Sequence, residues 1–380
     1  MKNTCSPKIR SFVLAAALSA GFAFVPPAFA KSSWIVDSGS KGLTELGTLG
    51  GSDTLASGIN ATGQATGSSD TAGGSTHAFI TGPGGAGMTD LGTLGGGNSS
   101  AAGINAAGQA VGNSDTAGIN VHAFITGPNG AGMTDLGTLR ANGQGDSYAF
   151  AINADGRVAG YSDTAGGSTH AFITGPNGAG MTDLGTLGGS FSSATGINAT
   201  GQVAGTSGLS NGSRHAFITG PNGAGMTDLG TLGGLNSFAS GINATGQVAG
   251  YSDTAAGDTH AFITGPNGTG MIDLGVLGGG NSFALGLNDA GQVVGYADMG
   301  GGDIHAFLTG ANGAGMADLN SLASLPGGAI LTEAHGINNL GQVVAIASPV
   351  PEPASYALML AGLGLMGCAA QGKARGKGAG

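Results

Sequence analysis

Six histidines recur at one position of a repeated sequence, and they are the side chains of this chain best suited to chemistry. Each begins a stretch close to HAFITGPNGAGMTDLGTL, and together they are His77, His122, His170, His215, His260 and His305. Imidazoles at matching positions are able to form a metal ring or a proton-binding ring. Histidines spread over a wide symmetric ring are too far apart to share one ion at bond lengths of about 2 Å. Most have an Asp seven residues upstream, as Asp70 precedes His77, so we predict a structural His–Asp or His–Thr hydrogen bond once per repeat.

The acid of the D-L-G segment is the second recurring group. Its members are Asp90, Asp135, Asp183, Asp228, Asp273 and Asp318, with Glu45 in the first copy. Glycoside hydrolysis needs two carboxyl groups in unequal environments, whereas repetition supplies equivalent ones. We therefore predict a hydrogen-bonding role in turns and no enzymatic activity, and we assign no catalytic, cofactor-binding or metal-binding residue. Calcium in the S-D-T-A-G-G loops is the alternative, and the lack of dense D-x-D spacing argues against it.

Specific function is expected where the copies differ from one another. The longest unit carries Arg140, Tyr148 and Arg157, and Arg214 stands where other copies have a neutral residue. Tyrosine follows Gly in three copies only, at Tyr161, Tyr251 and Tyr296. Arg and Tyr side chains suit carboxylates and sugars, so Arg140, Tyr148, Arg157 and Arg214 form the candidate ligand surface. Neutral variation on a solvated loop is the alternative interpretation.

Two patterns alternate along the middle of the chain and must position these residues. The pattern S-x-A-x-G-I-N-x-x-G-Q-V-x-G occurs seven times, and its Asn recurs at spacings of 45, 48, 45, 45, 45 and 50 residues. The His-Ala-Phe pattern, ending in D-L-G, also occurs seven times when a degenerate first copy at Trp34 and Ile35 is included. Each pattern is typical of a β-hairpin, with Asn-Gly or Pro-Asn-Gly at its turn.

Four strands in a period of about 45 residues predict a propeller blade. We therefore predict an all-β fold, a seven-bladed β-propeller spanning residues 31–349. The first copy of one hairpin is degenerate and the last copy of the other has no partner after it, so we favour one blade built from both ends of the chain. Seven blades without a shared one remain the alternative arrangement, and a β-solenoid is the alternative fold.

Charge and cysteine content exclude several classes of function. The chain has a net charge of −10, and residues 31–349 carry five basic against twenty acidic side chains, a net charge of −15. No nucleic-acid partner is expected from such a surface. Both cysteines, Cys5 and Cys368, lie in the terminal segments, so the repeat region holds no disulfide and no thiolate metal site.

The two ends of the chain have the composition of targeting signals. Residues 1–30 combine basic residues, an apolar run and an A-x-A site at Ala28 and Ala30, which predicts a signal peptide cleaved before Lys31. Residues 350–380 contain Pro351, Glu352 and Pro353, then a short apolar stretch predicted to span a membrane, then a basic tail. This order resembles the PEP-CTERM sorting signal of Gram-negative bacteria. The resemblance implies an exosortase partner, only transient residence in the inner membrane, and release to the surface or the extracellular polysaccharide.

The repeats resemble the extracellular HAF-repeat family through three segments, His-Ala-Phe, Asp-Leu-Gly-x-Leu-Gly-Gly and Gly-Ile-Asn-x-x-Gly-Gln-Val, over about residues 33–348. That resemblance implies a surface or secreted protein and brings no activity with it. The sequence therefore predicts a secreted, non-enzymatic protein of the cell surface or of a biofilm or exopolysaccharide matrix, with acidic exopolysaccharide as its candidate ligand. A secreted hydrolase or lyase on a propeller scaffold is the competing hypothesis.

Overall fold

Seven four-stranded antiparallel sheets surround a central channel in the computed structural model, which describes residues 31–140, 143–323 and 325–348. The fold is therefore a seven-bladed β-propeller, as the repeat period predicts, and not a solenoid. Adjacent blades are separate sheets except for a single parallel pair, Thr169 with Phe191, between the third and fourth.

The strands follow one another in nearly equal units. The chain begins with β1 (Ser32–Asp37) and β2 (Leu43–Glu45). Blades 1 and 2 consist of β3 (Gly50–Ile59), β4 (Ala65–Thr71), β5 (Thr76–Thr81), β6 (Met88–Asp90), β7 (Gly95–Ile104), β8 (Ala110–Thr116), β9 (Val121–Thr126) and β10 (Met133–Asp135). Blades 3 and 4 consist of β11 (Ser147–Ile152), β12 (Val158–Asp163), β13 (Thr169–Thr174), β14 (Met181–Asp183), β15 (Gly188–Ile197), β16 (Val203–Leu209), β17 (Arg214–Thr219) and β18 (Met226–Asp228). Blades 5 and 6 consist of β19 (Gly233–Ile242), β20 (Val248–Thr254), β21 (Thr259–Thr264), β22 (Met271–Asp273), β23 (Ser282–Leu287), β24 (Val293–Asp298), β25 (Ile304–Thr309) and β26 (Met316–Asp318), and the chain ends with β27 (Ile330–Ile337) and β28 (Gln342–Ser348).

The helices of the described residues are all single 3-10 turns. They are Pro83–Gly85, Pro128–Gly130, Pro176–Gly178, Pro221–Gly223, Pro266–Gly268, Ala311–Gly313, Leu319–Ser321 and Pro326–Gly328. Five of the first six carry Asn at positive φ, between 51° and 54°, because the Pro-Asn-Gly and Ala-Asn-Gly turns need a residue that tolerates the left-handed region. The turn chemistry predicted from these residues is confirmed.

Within each blade the first strand lines the channel and the fourth lies outermost. The first strands of successive blades contact one another around the whole ring, including β27 with β3. We call the side that holds the connections between second and third strands, and between successive blades, the loop face. The opposite side holds the two hairpin turns of each blade and is called the turn face.

Blade 7 is assembled from both ends of the described chain. Its strand order is β2-β1-β28-β27, and Ser32 at the start of β1 lies opposite Ala347 near the end of β28. The predicted shared blade is therefore confirmed. β28 therefore ends on the loop face, where β1 begins.

A closed ring of side-chain hydrogen bonds joins the blades at the turn face. The Asn of each S-x-A-x-G-I-N segment donates from Nδ2 to the main-chain oxygen of the equivalent Asn in the next blade. The seven bonds run from Asn60 to Asn105, Asn153, Asn198, Asn243, Asn288, Asn338 and back to Asn60, over 2.9–3.2 Å. The last bond, Asn338 to Asn60, closes the circle across 278 residues of sequence.

Apolar packing and further hydrogen bonds join neighbouring blades along their length. Phe262 of blade 5 is fully buried in a cluster that also contains Ile218 of blade 4. The Ser of the S-x-A segment adds a hydrogen bond between neighbouring blades. Between blades 1 and 2, Ser99 Oγ accepts the main-chain N–H of Ala78. A Cβ atom added to Gly286 would lie 2.9 Å from the His335 carbonyl oxygen. The first strands of blades 6 and 7 therefore approach too closely at this point for a residue larger than Gly.

The predicted targeting segments lie outside the described residues. This applies to the signal peptide with Ala28 and Ala30, to Pro351, Glu352 and Pro353, and to the apolar stretch predicted to span a membrane. In the part of the chain that the structure describes, no helix is long and apolar enough to cross a membrane.

Candidate functional site

The six recurring histidines each bind a carboxylate, but it is not the predicted one. His77 Nδ1 lies 2.8 Å from Oδ2 of Asp90, thirteen residues downstream. The other five pairs repeat this contact at 2.8–2.9 Å: His122–Asp135, His170–Asp183, His215–Asp228, His260–Asp273 and His305–Asp318. The prediction of an upstream Asp partner is therefore wrong, whereas the prediction of a repeated structural bond is confirmed.

The geometry of the strands explains why the upstream Asp fails to reach the histidine. Asp70 lies directly opposite Thr76 in the β4–β5 ladder, and Thr76 Oγ1 donates to Asp70 Oδ1 over 2.9 Å. His77 is the next residue of β5, so its side chain points to the other face of the sheet. Asp90 also accepts the N–H of Gly92 over 2.7 Å, which confirms its predicted role in a turn. Among the described residues, no three His, Cys, Asp or Glu side chains are grouped closely enough to hold a metal ion.

Each first strand contains a β-bulge at the second variable position of the S-x-A-x-G-I-N segment. In β3 the pairing with β4 runs from Ala56–Gly67 to Gly58–Thr66, which leaves Ser57 as the extra residue. The same shift occurs in all seven blades. Because a bulge redirects a side chain out of the regular pleat, it turns one residue per blade toward the channel.

The bulged residues of all seven blades line one cavity, and they are almost all different. They are Ser57, Ala102, Phe150, Thr195, Ser240, Leu285 and His335. The cavity has a volume of about 430 Å³ and is also lined by Phe191, Arg214, Phe238 and Tyr251. We call this cavity the channel mouth. The residues that are the same in every copy thus form the framework, and the bulged residues that differ between copies line one cavity.

Aromatic pairs flank the channel mouth on blades 3, 5 and 6. The first variable position and its neighbour on the second strand form the stacked pairs Tyr148–Tyr161, Phe238–Tyr251 and Phe283–Tyr296, with ring centroids 4.8, 5.0 and 4.8 Å apart. Tyr251 also meets Phe283 edge-on at 5.1 Å, so the aromatic surface is continuous from blade 5 to blade 6. Burial, with the nearby Tyr148 and acidic groups, raises the pKa of Tyr161 to about 12.

Opposite charges lie on two sides of the channel mouth. On blade 4 the Arg214 guanidinium lies 5.2 Å from the ring centroid of Phe191, an arrangement that stabilises an exposed cation. On blade 7, His335 Nε2 lies 2.9 Å from Glu333 Oε2. The hydrogen bond from His335 holds the pKa of Glu333 below its ordinary value, against the opposing effect of burial.

The structure separates the four residues of the predicted ligand surface. Arg214 lines the channel mouth and Tyr148 stands beside it, while Arg140 lies on the loop face, where its Nε donates to the Thr164 carbonyl oxygen over 3.0 Å. Arg157 lies on the turn face, because its N–H bonds to Asn153 in the hairpin turn at the far end of β11. The expectation of one surface spanning Arg140 to Arg157 is therefore wrong, since a strand separates its ends.

Glu333 and His335, which occupy the two variable positions in the last copy, were not among the predicted site residues. A usable signal was present, because T-E-A-H is the only copy of the S-x-A-x segment with an acid or a base at either position. At the other end of the channel Asp289 is likewise unrepeated, but it already accepts the Ala244 N–H over 2.9 Å and an Asn339 Nδ2–H over 2.6 Å. There a cavity of about 450 Å³ is lined by the Asn ring and by Ile or Leu from every blade.

Comparison with known proteins identifies the C-terminal segment. Residues 349–374 match the PEP-CTERM protein-sorting motif. The chain carries a PEP-CTERM sorting signal. This signal is recognised by an exosortase and indicates export to the cell envelope or surface. The matched residues begin directly after β28. A comparison with the curated proteins found no match.

Solved structures similar to this chain are β-propeller proteins. TolB from Agrobacterium tumefaciens is 10% identical over 85% of this chain and all of that chain, with a TM-score of 0.49. A puromycin hydrolase mutant is 14% identical over 78% of this chain and 50% of that one, with a TM-score of 0.53. A puromycin-hydrolyzing peptidase from Mycobacterium tuberculosis is 14% identical over 73% of this chain and 46% of that one, with a TM-score of 0.44. At 14% identity and a TM-score of 0.53, the likeness to the puromycin hydrolase supports the fold alone.

Proposed function

We propose that this is an exported, non-enzymatic protein of the cell surface or biofilm matrix of a Gram-negative bacterium, and that it binds an extracellular glycan at the channel mouth. The sorting signal and the resemblance to extracellular HAF-repeat proteins support the location. One observation carries the binding proposal: the bulges bring the variable residue of every blade into the same cavity.

The composition of the channel mouth favours a sugar ligand. Its volume lies in the range of small-molecule sites, and its walls offer the flat faces of Phe238 and Tyr251 beside hydroxyl groups such as Thr206 and Ser240. Aromatic rings cover apolar sugar faces while hydroxyls and charges bind the sugar's polar rim. An acidic exopolysaccharide was expected from the arginines of the longest unit, and Arg214 now takes their place.

The pair Glu333–His335 is the observation that favours the competing hypothesis of a hydrolase or lyase. It is unrepeated, and its His335 lines the cavity while Glu333 is bonded to that histidine, as an acid–base pair of an enzyme could be. A glycosidase, however, needs a general acid whose pKa is raised and a second carboxylate opposite it. The lowered pKa of Glu333 suits a permanently ionised hydrogen-bond acceptor, so binding is the better account.

A glycan array probed with the secreted protein tests the proposal, with a matched variant that copies one blade into another. Phe238→Leu with Tyr251→Ser gives blade 5 the residues of blade 1, Leu55 and Ser68, at the same register. We expect the wild type to bind and this variant to lose at least about tenfold in affinity while its melting temperature changes little. Equal binding by both proteins would place the ligand elsewhere.

The enzyme hypothesis makes a different prediction for the same polysaccharides. Prolonged incubation with a bound glycan should release neither new reducing ends nor unsaturated products. Product formation that disappears in Glu333→Gln would overturn the non-enzymatic proposal.

A further inference from the structure

Blade 4 differs from its neighbours by a coupled change of charge. In five blades, the second strand places Asp70, Asp115, Asp163, Asp253 or Asp298 opposite the residue before the histidine. In blade 4, Gly208 occupies the position of that Asp, and Arg214 lies opposite it. A carboxylate is thus missing where a guanidinium appears, and no compensating acid faces it across the ladder.

Phe191 completes this change. In blade 5 the position of Phe191 is occupied by Asn236, whose Oδ1 accepts the main-chain N–H of Arg214 over 3.1 Å. Asn281 in blade 6 and Asp146 in blade 3 accept the equivalent main-chain N–H of the preceding blade in the same way. Phe191 has no such acceptor and instead lies under the guanidinium. Within the described residues Arg214 is exposed and forms no ion pair. An oriented, unneutralised guanidinium is suited to binding a carboxylate in a bidentate manner.

Beginning at Arg214, the side chains along one side of the channel mouth, which we call the arc, differ in chemical type from blade 4 to blade 7. Blade 4 carries Arg214, blades 5 and 6 carry the continuous aromatic surface from Phe238 to Tyr296, and blade 7 carries Glu333. Blades 1 and 2, across the channel, have only small side chains such as Ser57 and Ala102 at their bulges. Successive ring centroids from Phe238 through Tyr251 and Phe283 to Tyr296 lie 5.0, 5.1 and 4.8 Å apart, so the aromatic surface alone is wider than one sugar ring.

We infer that this arc binds a uronic-acid oligosaccharide, with a carboxylate on Arg214, sugar rings on the aromatic surface and hydroxyl groups donating to Glu333. This inference rests on the proposed function and deepens it. Glu333 repels a second carboxylate and accepts hydroxyl hydrogens, so the two charges together fix the direction of the bound chain. The arc therefore binds a carboxylated polymer in preference to its neutral counterpart.

The test compares a polymer with its own neutral form. Polygalacturonate, alginate and hyaluronate are titrated into the secreted protein by calorimetry, beside the same polymers after chemical reduction of their carboxyl groups. We expect at least one acidic polymer to bind tenfold or more tightly than its reduced form, with affinity falling as salt rises. Arg214→Gln should remove that preference, Arg214→Lys should restore only part of it, and Arg157→Gln, on the turn face, should leave it unchanged.

Two outcomes overturn the inference and are distinguishable from each other. Equal binding of acidic and reduced polymers, insensitive to Arg214→Gln, would refute carboxylate recognition while the proposed glycan binding stands. Binding of no polymer here, together with an empty glycan array, would refute both.

Discussion

Removing the side chain of Asn338 should weaken the ring of Asn side chains at the boundary between blade 7 and blade 1. Asn338 Nδ2 donates to the Asn60 oxygen over 2.9 Å and to Gln342 Oε1 over 2.8 Å. Its Oδ1 accepts the N–H groups of Leu340 and Gln342, both over 3.0 Å. The substitution Asn338→Ala therefore deletes four hydrogen bonds, one of which joins blade 7 to blade 1.

The size of the effect follows from these bonds. A hydrogen bond in a protein contributes about 1 kcal/mol net, and a buried group left without its partner costs somewhat more. Water can replace the partners of the two turn N–H groups, so we expect a loss of about 2–4 kcal/mol in the free energy of unfolding. An unfolding entropy of about 2.1 cal/mol/K per residue converts this into a fall in melting temperature of about 3–6 °C for a domain of roughly 300 residues.

Thermal and urea unfolding of the protein, followed by circular dichroism, measures this loss. Leu340→Ala is the matched control, because Leu340 is two residues away in the same turn and is 67% exposed. It should change the melting temperature by less than about 1 °C. The reasoning would be refuted if Asn338→Ala melted like the wild type, or if Leu340→Ala destabilised the protein as much.

Further predictions concern the core, the repeated pairs and the ionisable groups of the channel mouth. Phe262→Ala should lower the free energy of unfolding by about 3–5 kcal/mol, because the ring is fully buried between blades. His260→Ala should lower it by less than about 1 kcal/mol, because the pair with Asp273 is partly exposed. Urea unfolding of both variants measures these two values. In an ultraviolet titration of the phenols, Tyr161→Phe should remove the transition at about pH 12, because burial raises the pKa of Tyr161 that far. The lowered pKa of Glu333 stabilises the fold fully above the unfolded-state pKa of about 4.3, and this contribution is lost as the pH falls through the folded-state pKa. Glu333→Gln should therefore make acid unfolding less steep as the pH falls below about 4.3, and an unchanged acid melt would contradict the bond to His335.

The repeat made the fold predictable in unusual detail. Seven copies of two hairpin patterns give the strand number and the blade number directly, and the incomplete copies at Trp34 and after Asn338 give the shared blade. The positive φ of Asn129 and its equivalents follows from Pro-Asn-Gly in the same way. These predictions succeed because each depends on local turn chemistry or on counting.

Contacts between strands were harder to predict. Both Asp70 and Asp90 recur with His77, and the choice between them depends on which face of the sheet each side chain takes. That face is set by the register of the β4–β5 ladder, which places Asp70 opposite Thr76 and leaves Asp90 to the histidine. Sequence distance alone favoured the nearer Asp and gave the wrong partner.

Only part of the candidate site follows from the sequence. The expectation that function lies where copies differ led to Arg214 and Tyr148, which do stand at the channel mouth, but also to Arg157 on the other face. Glu333 and His335 stand out in the sequence by their charge, but the pattern S-x-A-x-G-I-N does not show that the second variable residue lies in a bulge. Only the structure reveals that the bulge turns its second variable residue into the channel.

A crystal structure of the protein with a bound hexagalacturonide tests the account most directly. The account predicts sugar density along the arc from Arg214 past Phe238 and Tyr251 to Glu333, with a carboxylate in contact with the guanidinium. Density at the turn-face end of the channel near Asn60, or on the outer rim beside the His–Asp pairs, would contradict it.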